Sequence, residues 1–336
     1  MQEKIKFGIV GMGRIGSRHA TCISQHPQAQ LVGTHDILPQ YQSNCGKLRR
    51  ECSSFRELIR RDLDVINICT PNYLHADMAI EALKGGRHVV IEKPIALHKI
   101  DAQSIISTAK EVDKLVFCVM QNRFSPTIIW LKSIISKGLL GEIKMLSIHC
   151  FWNRNENYYS NSNWHGSIKM DGGPLYTQFS HFIDVIYWLF GEINNISAEF
   201  FKLNSKNKWI EFEDSGIVRF NLSNGIGQGV LNYSTAIWDR NLESSITIIG
   251  EKGSVKIGGQ YMDKIEYCHI KDYTLPHFET LIQCNDYGDY KGSASNHDKM
   301  INNVINVLLG ADKIHTNVID GMQVVNIIET IYSSRI

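Results

Sequence analysis

The sequence predicts an α/β protein. An N-terminal doubly wound parallel sheet is followed by an α+β domain on a large open, mostly antiparallel sheet. Three observations predict this. Short apolar runs alternate with helical patterns through the first 120 residues, which implies parallel strands covered on both faces. A glycine-rich turn, Gly11-Met12-Gly13-Arg14-Ile15-Gly16, separates the first apolar run from the first helical pattern. Beyond about Asn122 the chain changes to long strand patterns joined by tight-turn signals.

In order, strands are expected at Ile5–Val10, Gln30–His35, Val65–Cys69, His88–Ile91 and Leu115–Met120. Helices are expected near Arg14–Gln25, Phe55–Arg60, Tyr73–Lys84 and Ile100–Val112. Right-handed crossovers then give a Rossmann domain over residues 1–122. The second domain, residues 123–336, opens with a helix from Thr127 to Lys137 that stops at Gly138 and a strand from Ile143 to Trp152. A helix is expected from Leu175 to Phe190. Hairpins follow around Ser223-Asn224-Gly225 and Gly250-Glu251-Lys252-Gly253. The C-terminus returns to helix at His297–Leu309 and Gly321–Tyr332, while Tyr261 to Gly292 has no clear pattern.

At 336 residues the chain can bury two cores, and its net charge of +1 gives no basic surface for nucleic acid or an anionic membrane. No apolar run reaches the length of a transmembrane helix, and Met1 to Lys6 lacks the layout of a secretory leader. The eight cysteines lack C-x-x-C pairing, which favours reduced thiols over disulfides or a zinc site. A cytoplasmic protein without a metal is the expectation.

The glycine turn sits where a dinucleotide fingerprint must sit. Gly11 permits a tight turn, Gly13 lets the backbone approach a pyrophosphate at the helix N-terminus, and Gly16 lets helix and strand pack closely. Asp36 ends the second strand pattern, twenty residues after Gly16. A carboxylate there accepts hydrogen bonds from ribose hydroxyls and repels a 2′-phosphate. NAD is therefore favoured over NADP, although Arg49 and Arg50 lie further on.

Ligands of such sheets bind beyond the C-terminal strand ends. Three strings fall there: Thr70-Pro71-Asn72 with His75, Glu92-Lys93-Pro94, and Gln121-Asn122-Arg123. A lysine facing a cofactor crevice is partly desolvated, which lowers its pKa toward neutrality and suits acid–base work. A surface Lys93 paired with Glu92 is the alternative. In the second domain, Thr177, His181, Asp184 and Trp188 form a stripe at helical spacing, roughly opposite the apolar residues of that segment. His181 is thus expected to face solvent or a site.

The glycine turn, Thr70-Pro71-Asn72 with His75, the Glu-Lys-Pro string, and Gly172-Gly173 with His181 occur together in this order. The set resembles the glucose–fructose oxidoreductase / inositol dehydrogenase (Gfo/Idh/MocA) family over nearly the whole chain. The resemblance implies a nicotinamide cofactor and redox chemistry at a sugar or cyclitol carbon. It implies that Lys93 and His181 are the catalytic pair. Cofactor contacts would come from Gly11 to Gly16, Asp36, Thr70, Pro71, Asn72, His75, Glu92, Lys93 and Gln121. Many members carry Asp four residues before the histidine; this chain has Thr177, which cannot be a carboxylate base, so Lys93 or His181 is expected to take the proton. The run Phe151-Trp152-Asn153-Arg154, Tyr158-Tyr159, Trp164-His165-Gly166, Asp171-Gly172-Gly173 and Gln178 to His181 is similar to bacterial UDP-N-acetylglucosaminuronate 3-dehydrogenases of surface-polysaccharide pathways. That likeness implies a UDP-sugar substrate met by Lys93, Asn122, Arg123, Arg154, Tyr158, Tyr159, Trp164, Thr177, Gln178 and His181. For the aromatics, packing within the second sheet is the alternative. Some relatives pass the hydride on to 2-oxoglutarate, and a homodimer or homotetramer is expected. The rival expectations are a dehydrogenase of another sugar, inositol or trans-diol, and a non-catalytic NAD- or sugar-sensing regulator.

Overall fold

The computed structural model describes residues 4–42, 51–204, 207–223, 225–277, 284–286 and 291–336. Arg49, Arg50 and Asn224, each weighed above, lie outside the described residues. The chain forms two compact units, one of Met1–Met120 with Asn296–Val325, the other of Gln121–Ser295 with Asn326–Ile336.

In the first unit, β1 (Ile5–Val10), β2 (Ala29–His35), β3 (Val65–Ile68), β4 (His88–Ile91) and β5 (Val116–Cys118) form a parallel sheet in the order β2-β1-β3-β4-β5. Helices α1 (Arg14–Gln25), α2 (Phe55–Arg60), α3 (His75–Lys84) and α4 (Lys99–Glu111) connect them. Val65, Ile66 and Ile68 of β3 and Val89, Val90 and Ile91 of β4 are fully buried, as strands covered on both faces must be. The strand order reverses between β1 and β3. Their paired last residues, Val10 and Ile68, therefore lead straight to the edge of the crevice that ligands use.

The C-terminal segment departs from the expected division. Helix α7 (His297–Leu308) packs on α1 and buries Met300, Ile301, Val304 and Ile305. Asn317 bridges Phe117, and Gly321 lies against Ile95 and Cys118. An amphipathic pattern shows that a helix must cover an apolar surface but does not say which one. The cut between the units falls within α8 (Val318–Ser333).

The second unit holds a seven-stranded sheet made of β6 (Ile143–Phe151), β7 (Ile193–Phe201), β8 (Ser215–Leu222), β9 (Gln228–Ser234), β10 (Glu243–Gly250), β11 (Gly253–Gly258) and β12 (Lys264–Ile270). The order is β12-β11-β10-β6-β9-β8-β7, antiparallel except for the parallel pair β6–β9. Helices α5 (Pro126–Ser136) and α6 (Ser180–Phe190) belong to this unit. Leu146, Ile148, Leu231, Tyr233, Ile246 and Ile248 are buried, and the ring of Phe179 lies 5.3 Å from that of Tyr233. The other face carries Met145, Ile217, Ile249 and Tyr267, which are between 40% and 54% exposed. Strand β12 falls in the stretch that had no readable pattern: of its residues only Ile270 is buried, so an edge strand left no apolar alternation to read.

The expected helix from Leu175 to Phe190 is broken. A short turn, Pro174–Thr177, ends with the amides of Gln178 and Phe179 both donating to the Pro174 carbonyl, and α6 restarts at Ser180. Thr177 is thus out of helical register with the rest of its stripe. The stripe is internal besides: His181 is 3% and Asp184 0% exposed.

Three imidazoles of the first unit, His75, His88 and His297, have pKa values pushed below 6.5, chiefly by burial. Each is neutral in the fold at a pH where the unfolded chain binds a proton, so stability is present above about 6.5 and is lost as pH falls toward the folded values. We expect the melting temperature to drop steadily between pH 7 and 5; a flat profile across that range would contradict the assignment.

Candidate active site

The glycine turn is built for two different demands. Gly11 has φ +84°, and a Cβ there would stand 2.5 Å from the Cys69 carbonyl oxygen; one on Gly16 would stand 1.8 Å from the Gly11 carbonyl oxygen. The chain itself requires both glycines. Around Gly13 nothing lies within 4 Å of where a Cβ would be, so the protein leaves that space open. Gly13 caps α1 with no side-chain bond, and the first turn carries no acid. The amides at the N-terminus of α1 therefore face an open, anion-favouring space. Asp36 accepts the Met12 amide at 2.6 Å and the Leu38 amide at 2.8 Å, one on each carboxylate oxygen. It locks the turn, and its remaining lone pairs can receive ribose hydroxyls. These features fit the dinucleotide that the fingerprint calls for.

Behind the strand ends, two expected cofactor residues do other work. His75 is 1% exposed, with Nδ1 2.6 Å from the Pro94 carbonyl and Nε2 2.8 Å from the Thr70 carbonyl. It ties the loop after β3 to the loop after β4. The Glu92 carboxylate turns inward: Oε1 is 3.0 Å from His19 Nε2 and 3.5 Å from His297 Nε2, and Oε2 accepts the Lys93 amide at 3.2 Å. Burial alone would raise its pKa, but hydrogen bonding and electrostatic attraction from His19 and His297 outweigh burial and hold it well below the carboxylate range. The donor atoms of His19, Glu92 and His297 lie within 4.8 Å of one another, close enough to suit a metal. Asn67 Nδ2 donates to His19 Nδ1 at 2.8 Å, however, leaving His19 Nε2–H to donate to Glu92. A hydrogen-bonded network accounts for that contact. Lys93 itself is partly exposed, and the Lys93–Pro94 bond is cis.

In the second unit His181 sits 3.4 Å, Nε2 to Nε2, from Gln121, which was expected at the cofactor. Asn122 is 5% exposed, and its Oδ1 has no hydrogen-bond partner among the described residues. Arg123 was expected to meet substrate charge. Its guanidinium is instead paired with the fully buried Asp184, at 2.5 Å from Nη2 and 3.1 Å from Nε, and lies 5.6 Å from the Trp188 ring. Arg154 stacks 5.0 Å from Trp152 and 5.2 Å from Tyr158, with Nη1 donating to the Asn153 carbonyl. Tyr158 accepts from Gln178 Nε2 at 2.8 Å and stacks on His165, 4.5 Å between rings; His165 in turn lies 3.8 Å from Trp164. Tyr159 is the buried end of this set: its ring meets that of Tyr158 edge-on at 5.0 Å, it packs with Ile210 and Phe212, and burial pushes its phenol pKa up. Thr177 donates its hydroxyl to Asp171, whose other oxygen accepts the Gly166 amide at 2.8 Å. No role was expected for Asp171, His165 or Asn241, which braces Asn153 and Arg154. The first two lay inside the quoted run, while Asn241 follows a loop with no motif.

A Rossmann unit with an open fingerprint and an acid after β2, joined to an open-sheet unit with a buried imidazole, defines a class: NAD-dependent oxidoreductases of two-domain build. Residues 5–120 match the "oxidoreductase family, NAD-binding Rossmann fold" and residues 128–256 match the "GFO/IDH/MocA C-terminal domain". The chain belongs to the GFO/IDH/MocA family. Among solved structures it is similar to the WlbA dehydrogenase of Bordetella pertussis in complex with NADH and UDP-GlcNAcA: 32% identity, TM-score 0.88, 99% of this chain and 96% of that one. The WlbA dehydrogenase of Chromobacterium violaceum, in complex with the same two ligands, is 31% identical, with TM-score 0.88 and 99% and 94% coverage. Inositol 2-dehydrogenase of Rhizobium meliloti is 25% identical over 81% of each chain. Among the described residues no helix is long and apolar enough to cross a membrane.

Three mutational outcomes follow from this geometry. Gly13→Val is expected to cost no more stability than an altered cap, ~1 kcal/mol, yet to weaken NADH binding at least about tenfold by fluorescence titration. Gly16→Ala, against a fixed carbonyl, is expected to melt far lower. Breaking the buried pair by Arg123→Ala or Asp184→Ala is expected to destabilise by about 3–5 kcal/mol in denaturant titration, because an unpaired charge is left inside; unchanged stability with a raised KM would return Arg123 to the substrate.

Proposed function

We propose that this protein is an NAD-dependent dehydrogenase that oxidises the C3 hydroxyl of a UDP-N-acetyl-hexosaminuronate to the 3-keto sugar, in the cytoplasm, for surface-polysaccharide synthesis. The observation that carries the reading is similarity over nearly the full length to two dehydrogenases held in complex with NADH and UDP-GlcNAcA. The chemistry is consistent with it. Held by the glycine turn and Asp36, NAD would supply the hydride acceptor for the carbinol carbon. Lys93 or His181 takes the hydroxyl proton, and the other orients the oxygen. His181 is supported for this by its burial and by Gln121, which fixes the ring. Arg154, held on two aromatic rings, suits a carboxylate or diphosphate, and Tyr158 and Trp164 suit a sugar or uracil face. Asn122 Oδ1, Thr177 and Gln178 add hydrogen-bonding capacity. The half-exposed face of the second sheet, with Met145, Ile217, Ile249 and Tyr267, supports self-association.

The test is a panel of UDP-sugars, free sugars and inositols followed by NADH absorbance, with and without 2-oxoglutarate to reoxidise the coenzyme. UDP-N-acetyl-hexosaminuronates are expected to be preferred, and activity confined to free sugars or inositol would reject the substrate. Lys93→Ala and His181→Ala are expected to lower kcat by about a hundredfold or more while NADH affinity holds. Near-normal rates in both would remove the pair from the chemistry.

A further inference from the structure

We infer that Asp171 is a positioning residue for the oxidation, acting through the Thr177 hydroxyl, which it sets as a hydrogen-bond acceptor toward a substrate hydroxyl. The inference rests on the proposed alcohol oxidation near His181.

Asp171 is wholly buried. One carboxylate oxygen receives the Gly166 amide at 2.8 Å, and the other receives the Thr177 hydroxyl. Gly166, at φ +86°, follows the Trp164-His165 pair in sequence, and a Cβ there would lie 2.0 Å from the Trp209 carbonyl oxygen, so this turn has little room to shift. The carboxylate is thereby fixed between the loop that carries the aromatic set and the turn that precedes α6.

A hydroxyl carries one proton and two lone pairs. An ionised carboxylate only accepts, so when Asp171 takes the Thr177 proton, the threonine oxygen has only lone pairs left to offer. Thr177, unlike Asp171, is partly exposed. It also stands one residue before Gln178, which bonds Tyr158, and four before His181. The result is an acceptor of fixed polarity, backed by a buried carboxylate, on the segment that carries the proposed acid–base imidazole. A second hydroxyl of the sugar, not the one being oxidised, donates to it and so holds the reacting carbon in place for hydride transfer; the reacting hydroxyl keeps its single proton for the route already given, and no bond to the protein forms. The break after Thr177 is what frees the residue to turn toward Asp171 rather than continue the α6 stripe.

The test is a double-mutant cycle on whichever alcohol the wild type oxidises. Thr177→Val is expected to lower kcat about 10- to 100-fold, the effect of one hydrogen bond to a carboxylate-backed group, with NADH affinity and melting temperature near wild type. Thr177→Ser, which keeps the hydroxyl, should recover to within a few-fold. Asp171→Asn should lower kcat in the wild-type background but add nothing further in the Thr177→Val background, since its effect passes through that hydroxyl. Independent, multiplying losses would make Asp171 a purely structural residue and overturn the inference. So would Thr177→Val with wild-type kcat, or Thr177→Ser no better than Thr177→Val, and those two variants decide the matter even if Asp171→Asn does not fold. Oxidation of a different sugar by the wild type would reject the proposed substrate and leave this cycle to be run on that sugar. A wild type that reduces NAD with no alcohol would overturn both.

Discussion

A single buried carboxylate organises the cofactor half of this protein. Glu92 leaves the end of β4 and turns into the interior, where His19 of α1 and His297 of α7 meet it and the Lys93 amide closes on its second oxygen. Three segments far apart in the chain are fixed to one anion. The first follows the glycine turn, the second carries the proposed catalytic lysine, and the third is the returning C-terminal helix. A buried charge is costly unless fully partnered, so the loss of any one contact would be felt by the other two. His75 likewise stands between the carbonyls of Thr70 and Pro94 and links the loops that carry them. The loops that line the crevice thus hang from polar anchors beneath them, and their outward groups stay available for ligand.

The second unit shows the same economy with opposite signs. Arg123 and Asp184 satisfy one another inside the unit, and Arg154 is carried on aromatic faces with its guanidinium braced by backbone and Asn241. Two arginines that look alike in sequence therefore differ in what they can offer a substrate. One is neutralised by a carboxylate. The other is stacked on two rings and donates to the Asn153 carbonyl and to Asn241.

The local elements were legible because each rests on short-range physics. The glycine turn, the strand–helix alternation of the first 120 residues and the bounds of α1 and α2 agree with the structure. So do the hairpins of the second sheet, apart from Asn224. What failed had a common cause. The helix expected from Leu175 breaks because a backbone carbonyl, Pro174, takes two amides at once, and composition carries no sign of that. Strand β12 was missed because it buries one residue. Helix α7 was placed with the wrong unit because its amphipathic face names no partner.

By itself the sequence determined the two-part α/β plan, the dinucleotide fingerprint with Asp36, and the family, all set by spacing and by residue types that only certain backbone and ligand geometries accept. Tertiary structure alone decided which polar residues face a ligand and which face each other. Arg123, Glu92, His75 and Tyr159 turned out to be internal, while Asp171 gained a partner in Thr177. The reason is that a side chain's role depends on what stands within about 3 Å of it, and those neighbours are brought from distant parts of the chain.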